Sequence, residues 1–417
     1  MERENNVLVE TVDPGSIEIV SERTIIPPST FWDIEWAKRN NLYFYLKEIQ
    51  EVRPKGRVIV QGHGEMIMLA GYSYLGLNEH PAIKEAAKQA IDRYGLGTEG
   101  SRFLAGTLSL HNELEKTISE FKGTEDAITF TSGYVANIST ISSLLRRNDL
   151  VFSDKMNHAS IIDGCIASRA HLYRYPHNDL DDLEKYLVKI KAKVRKLVVV
   201  DAVYSMEGTI VDLPRISAIC KKTNAYLMVD EAHSVGVLGK KGTGIEEYYN
   251  MPRDTIDIKM GTMSKAVPSS GGYIAGNREL ITFLKHEARG FLYTGAPSSS
   301  SVAAALAAFQ IMQQEPERIK KLYERVNFFK NRLLEAGLNL GGSQTPIIPV
   351  IFGDFDVTCA ISKYCQEQGL FIHGIHPPVI PKGTSRLRAT ITLNNTLADL
   401  DYCADTIIAG ARKFHVI

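Results

Sequence analysis

Lys265 stands in the run Gly261-Thr262-Met263-Ser264-Lys265-Ala266, behind a strand-like Ile256 to Met260 and ahead of Gly271-Gly272-Tyr273-Ile274-Ala275-Gly276. An amine carried by small and hydroxylated residues at a strand end is how a lysine is presented to the aldehyde of pyridoxal phosphate. Such an amine must lose its proton near neutral pH, which desolvation and nearby positive charge make easier. Thr262 and Ser264 could hydrogen-bond the cofactor phosphate, while Gly271 and Gly272 let backbone pass close by. A solvated turn lysine is the competing reading, because lysine is mostly exposed. Neighbouring motifs decide between the two.

Upstream lies Ala225-Tyr226-Leu227-Met228-Val229-Asp230-Glu231-Ala232-His233, an apolar strand ending in a carboxylate. In open α/β sheets ligands sit outside the carboxyl ends of parallel strands, where Asp230 falls. A carboxylate paired with the pyridine nitrogen keeps it protonated and makes the ring an electron sink. His233 could approach the ring oxygen. Asp-Glu-Ala-His also occurs in nucleotide-driven helicases, but these need a Gly-x-x-x-x-Gly-Lys-Ser/Thr phosphate loop, and the chain has none.

A phosphate cradle is expected where Ala127 to Thr131, a strand, turns through Ser132-Gly133-Tyr134 into a helical run from Ala136 to Leu145. Backbone N–H groups at a helix start suit a phosphate, although an ordinary N-cap looks the same. Asn157-His158-Ala159-Ser160 follows the strand Leu150 to Ser153. A histidine there could lie on the pyridine ring and serve as acid or base.

From about Phe31 onward the chain resembles the α-oxoamine synthases, fold-type I pyridoxal phosphate enzymes. The resemblance rests on Tyr74-Leu75-Gly76-Leu77, Gly100-Ser101-Arg102-Phe103, Gly106-Thr107 with His111, Ser132-Gly133-Tyr134, His158-Ala159-Ser160, Ser205-Met206-Glu207-Gly208, Asp230 to Gly236, Thr262 to Lys265, and Arg386-Leu387-Arg388. It implies that Lys265 holds the cofactor as a Schiff base, Asp230 pairs with the ring nitrogen, His233 bonds the ring oxygen and His158 stacks on the ring. By the same resemblance Gly133 and Tyr134 hold the phosphate by backbone beside Ser132 and Thr262, and Asp201 and Ser205 line the pocket. Thr294 reaches the partner subunit's phosphate in a homodimer with a shared site, Tyr74 lies on the substrate side, and Arg388 clamps the substrate carboxylate. A planar, two-pronged donor is the right chemistry for that last task.

The implied reaction is a decarboxylative condensation of glycine, alanine or serine with an acyl thioester on CoA or a carrier protein, in which Lys265 takes the α-proton. Alternatives are a non-decarboxylating glycine acyltransferase of the ketobutyrate-ligase kind, another aminotransferase or lyase of this scaffold, and a non-catalytic partner subunit. Three stretches depart from the family pattern: Val267-Pro268 after the lysine, Tyr72-Ser73 where many members carry asparagine, and Asn394-Asn395-Thr396 where a His-Thr pair often follows the arginine. In relatives these lie near the substrate entrance, so they bear on substrate identity and leave the cofactor set untouched.

Positioning such groups requires a large α/β framework. The 417 residues, 44% hydrophobic, suffice for a substantial core. Strand and helix patterns alternate to about residue 300, which predicts a mainly parallel seven-stranded sheet with helices on both faces. The expected division is an N-terminal arm, helix and hairpin over 1–66, a large cofactor domain over 67–300 and a smaller α+β domain over 301–417. Within the first, residues 1 to about 30 read as an arm, Trp32 to Gln50 as a helix and Arg57 to Leu69 as a hairpin. Lys plus Arg and Asp plus Glu both number 48, which offers no global field for nucleic acid. The apolar run Val302 to Met312 is far shorter than the roughly 18 to 20 residues of a membrane span. No secretory start is visible, and the five cysteines form no C-x-x-C pair. A cytoplasmic enzyme that needs no metal is the expectation.

Overall fold

The computed structural model describes residues 45–191 and 193–417, together with Lys38, Arg39 and Tyr43. Residues 44–417 form one compact unit. The expected arm lies outside the described residues, as do residues 32–37 of the expected helix. The expected helix does not run to its end: Ile49 and Gln50 open a strand, because Lys55 and Gly56, both at positive φ, fold the segment back on itself.

Strands β1 (Ile49–Arg53), β2 (Arg57–Val60) and β3 (Gly64–Met68) form an antiparallel meander. The main sheet takes the next seven: β4 (Asp126–Phe130), β5 (Leu150–Asp154), β6 (His171–Tyr175), β7 (Lys196–Asp201), β8 (Tyr226–Asp230), β9 (Ile258–Ser264) and β10 (Pro268–Gly276). Their order is β4-β10-β9-β8-β7-β5-β6, with β10 antiparallel to both neighbours and every other pair parallel. β11 (Ile347–Gly353), β13 (Gly374–Ile375) and β14 (Ser385–Thr390) make a small antiparallel sheet, while β12 (Leu370–Phe371) joins β3 in parallel.

Apolar runs such as Leu197-Val198-Val199-Val200 are continuous because both faces of the sheet are covered. Leu197 and Val199 pack in one cluster with Ile141, Ile161 and Leu284 from the helices Gly133–Leu144, Ala159–Ser168 and Arg278–Glu287. Val198 and Val200 face the other cluster, with Leu114, Ile216 and Phe309 from Ser109–Lys122, Leu213–Thr223 and Ser299–Gln314. Parallel strands thus all deliver their carboxyl ends to one edge. β5, β7 and β8 each end there in an aspartate. No helix among the described residues is long and apolar enough to cross a membrane.

Candidate active site

Two carboxylates stand side by side at that edge, since Asp201 and Asp230 are register partners across β7 and β8. Each is only 5% exposed. Asp230 accepts from Asn137 Nδ2 at 2.7 Å through Oδ2 and from the Ala232 N–H at 2.9 Å through Oδ1. Asp201 Oδ2 accepts from the His158 N–H at 2.9 Å. Burial first, and then the charge of Asp230, pushes the Asp201 carboxyl well above the usual range. Two adjacent buried carboxyls cannot both ionise cheaply, which disfavours the charged form of Asp201.

His158 caps the helix Ala159–Ser168, with Nδ1 2.8 Å from Ser160 Oγ. Burial lowers its pKa, against the pull of Asp230. Asn137 ties this histidine to the aspartate, because its Nδ2 also donates to Ser160 Oγ at 2.9 Å. His233, in the turn after β8, is buried with Nδ1 2.7 Å from Tyr74 Oη. Desolvation and the nearby Lys265 and Arg388 hold it well below its ordinary pKa, hence neutral.

Lys265 occupies the turn between β9 and β10. β9 continues past Met260, the register partner of Asp230, so the lysine is carried over the carboxylates. Pro268 is accommodated as the first residue of β10, opposite Ser264 and beside a register shift, where a missing N–H is harmless. Desolvation lowers the lysine pKa, Asp230 and Asp201 oppose that, and Arg388 adds to it. A cavity of about 540 Å³, lined by Tyr72, Ser73, Lys265, Ser269 and Ser301 among others, opens beside the amine. A larger one of about 660 Å³ lies at the amino ends of the strands, against Leu197, Tyr226 and Ile258, at the opposite edge of the sheet.

At the start of the helix Gly133–Leu144, Ser132 Oγ accepts from the Val135 N–H at 3.1 Å. A Cβ on Gly133 would come within 3.1 Å of Thr262 Oγ1 and 2.9 Å of Met260 Cε, and one on Gly272 would meet the Gly133 backbone at 2.6 Å. The helix therefore begins pressed against β9 and β10. Thr262 Oγ1 lies 2.9 Å from Ser264 Oγ and donates to the Gly271 carbonyl at 3.0 Å. Tyr134 turns its ring outward, half-exposed, with its hydroxyl on Asp163.

The last group arrives from the small sheet. Arg388, 6% exposed on β14, donates Nε to the Ser205 carbonyl at 2.7 Å and Nη1 to Thr390 Oγ1 at 3.0 Å. Its guanidinium lies 5.2 Å, and the Lys265 amine 5.9 Å, from the centre of the Tyr72 ring. One aromatic face thus spans an amine and an arginine fork. Tyr72 was noted in the sequence only as a departure, and Asn137 was not noted at all; a lone asparagine in the otherwise apolar and hydroxylated helix was its signal. Thr294 stands apart, half-buried in the loop between the helices Arg289–Leu292 and Ser299–Gln314.

Comparison with known proteins agrees with this geometry. The family profile aminotransferase class I and II matches residues 64–407. An 8-amino-7-oxononanoate synthase from Thermosipho melanesiensis is 40% identical over 385 residues, 92% of this chain and 98% of that protein. A serine palmitoyltransferase from Sphingobacterium spiritivorum is 38% identical over 380 residues, 91% of this chain and 94% of its own length. A solved serine palmitoyltransferase, with PLP as internal aldimine, superposes with a TM-score of 0.88 at 31% identity over 92% of this chain and 98% of that one. That likeness makes the fold the type I transferase fold. The chain belongs to the aminotransferase class I and II family and, within it, to the α-oxoamine synthases.

Proposed function

We propose that the chain joins glycine, L-alanine or L-serine to an acyl thioester and releases carbon dioxide, using pyridoxal 5'-phosphate held at the carboxyl edge of the main sheet. The observation that carries this is the amine of Lys265 and the fork of Arg388 facing one ring, Tyr72, above a buried aspartate. An amino acid offers a carboxylate, which the Arg388 fork can hold, and a few ångströms away an amine, which would compete with Lys265 for the cofactor's aldehyde.

The residues fit the cofactor. The pinched helix start at Gly133, with the hydroxyls of Thr262 and Ser264 beside it, suits a phosphate. Asp230, buried and hydrogen-bonded to Asn137 and to the Ala232 N–H, suits a protonated ring nitrogen, and neutral His233 suits the ring oxygen. Lys265 is the amine that would carry it. When bound, the cofactor supplies an electron sink for a carbanion at the substrate's α-carbon. Lys265, its pKa lowered by desolvation, takes up the α-proton at Nζ. Arg388 holds the carboxylate and so fixes which α-bond is weakened. His158 presents Nε2 as a proton donor or acceptor, since Nδ1 is engaged with Ser160. Sharing of the site between two subunits through Thr294 belongs to this reading, as does cytoplasmic work.

The test is titration of the cofactor-loaded protein with the three amino acids, following the cofactor's absorption band. A saturable change with one of them names the substrate; no change with any, in a protein whose band is intact, overturns the reading. Arg388→Lys should weaken the response by about 2 kcal/mol, some thirtyfold, because a point charge cannot replace a fork. Carboxyl-labelled substrate and a series of saturated acyl-CoAs then separate decarboxylation from simple acyl transfer.

A further inference from the structure

We propose that Glu207 and Arg386 are positioning residues for Arg388, so that the Ser205-Met206-Glu207-Gly208 motif serves the amino-acid substrate; this rests on the reading of Arg388 as the carboxylate clamp. Arg386 and Arg388 are alternate residues of β14 and share one face. Both grip the same short loop after β7. Arg386 Nη1 donates to the Met206 carbonyl at 3.0 Å and to Glu207 Oε1 at 3.1 Å, while its Nε donates to the Thr384 carbonyl at 2.9 Å. Arg388 Nε donates to the Ser205 carbonyl at 2.7 Å.

From the other side the loop is held at Gly208. Its carbonyl accepts from the Gln344 N–H at 3.0 Å and from Thr345 Oγ1 at 3.1 Å, and its N–H donates to the Tyr204 carbonyl at 2.8 Å. Gly208 has φ 66°, and a Cβ there would lie 2.3 Å from the Ile347 carbonyl oxygen. With the loop fixed, the Ser205 carbonyl at Nε and Thr390 Oγ1 at Nη1 set the roll of the Arg388 guanidinium, the group that would clamp the carboxylate.

Glu207 has a second effect. Two guanidinium groups on one strand would compete for the same anion. The Arg386 side chain is 4% exposed and already paired with Glu207, itself 19% exposed, whereas Arg388 has no carboxylate partner among the described residues. Removal of Glu207 would leave Arg386 as a second buried, uncompensated cation beside Arg388.

The experiment uses cofactor-loaded protein carrying Glu207→Ala, Arg386→Ala, both together, or Glu207→Gln. Dissociation constants for glycine, L-alanine and L-serine are read from the absorption band, and that for pyridoxal phosphate from reconstitution. Each alanine variant is expected to weaken binding of the responding amino acid about tenfold, with cofactor affinity and band position unchanged. The double variant should be no worse than the poorer single, and Glu207→Gln, which keeps the acceptor oxygen but not the charge, should recover part of the loss. Amino-acid affinity equal to wild type in Glu207→Ala overturns the proposal, as does a parallel loss of cofactor affinity. Should Arg386→Ala fail to fold, Glu207→Ala and Glu207→Gln decide. A wild-type protein that answers to no amino acid sinks the underlying reading instead.

Discussion

The charge on Lys265 is set by a small number of neighbours whose contributions have opposite signs. Arg388 disfavours the protonated amine, so removing it as Arg388→Met lets the lysine hold its proton to higher pH. The rate at which cofactor-free protein captures pyridoxal phosphate requires the neutral amine, and its rising limb should therefore move to higher pH in that variant. An unmoved limb would show that Arg388 takes no part in setting the charge of the amine. At this scale much of the site was legible in the sequence. Lys265, Asp230 and His158 sit at strand ends where period and punctuation reveal them, whereas Arg388 is marked only by the family resemblance, and the structure brings their surroundings together. Tyr72 was legible only as an unexpected letter, because its meaning lies in the 5.2 and 5.9 Å approaches of two cations from distant parts of the chain.

Among elements, the junction of the helix Gly133–Leu144 with β9 and β10 leaves little room for a side chain. Gly133→Ala would drive a methyl group against Met260 and Thr262, at a cost of about 1–3 kcal/mol. Because the collision is at the expected phosphate end, the loss should fall on cofactor affinity, measured by equilibrium dialysis; a variant that binds pyridoxal phosphate as wild type does would remove the helix start from the cradle. β4, β5, β7, β8 and β9 were readable as apolar runs ending at polar turns. β6 was not, since His171 and Arg174 on that edge strand point to solvent and break the pattern. β1 was misread as the end of a helix, because its five exposed residues carry no burial signal and a turn beyond it sets its pairing.

For the whole molecule, two buried ion pairs lock the back of the site. Lys122 Nζ lies 2.5 Å from Glu231 Oε2, and Lys259 Nζ lies 2.6 Å from Glu246 Oε2, all with side chains at most 6% exposed. Glu231 follows Asp230 directly, and its Oε1 accepts from the Ile245 N–H at 2.9 Å and from Ser234 Oγ at 3.1 Å. Lys122→Met leaves that carboxylate buried and unpaired, which should cost about 3–5 kcal/mol in urea unfolding. Pairing the change with Glu231→Gln should restore most of the loss, and failure to do so would mean that lysine packing, and not charge, is what matters. None of this was visible in the sequence, where Lys122 and Lys259 look like surface residues. By itself the sequence determined the alternation of strands and helices, the parallel sheet and the chemistry-bearing strand ends, because periodicity and turn residues act over a few neighbours. Only the tertiary structure decided that β14 delivers Arg388 to the Ser205 loop, that Asp201 stands beside Asp230, and that lysines pair inside the core. Those relations join residues far apart in the chain, and register and burial, which no local pattern encodes, set the charges they carry.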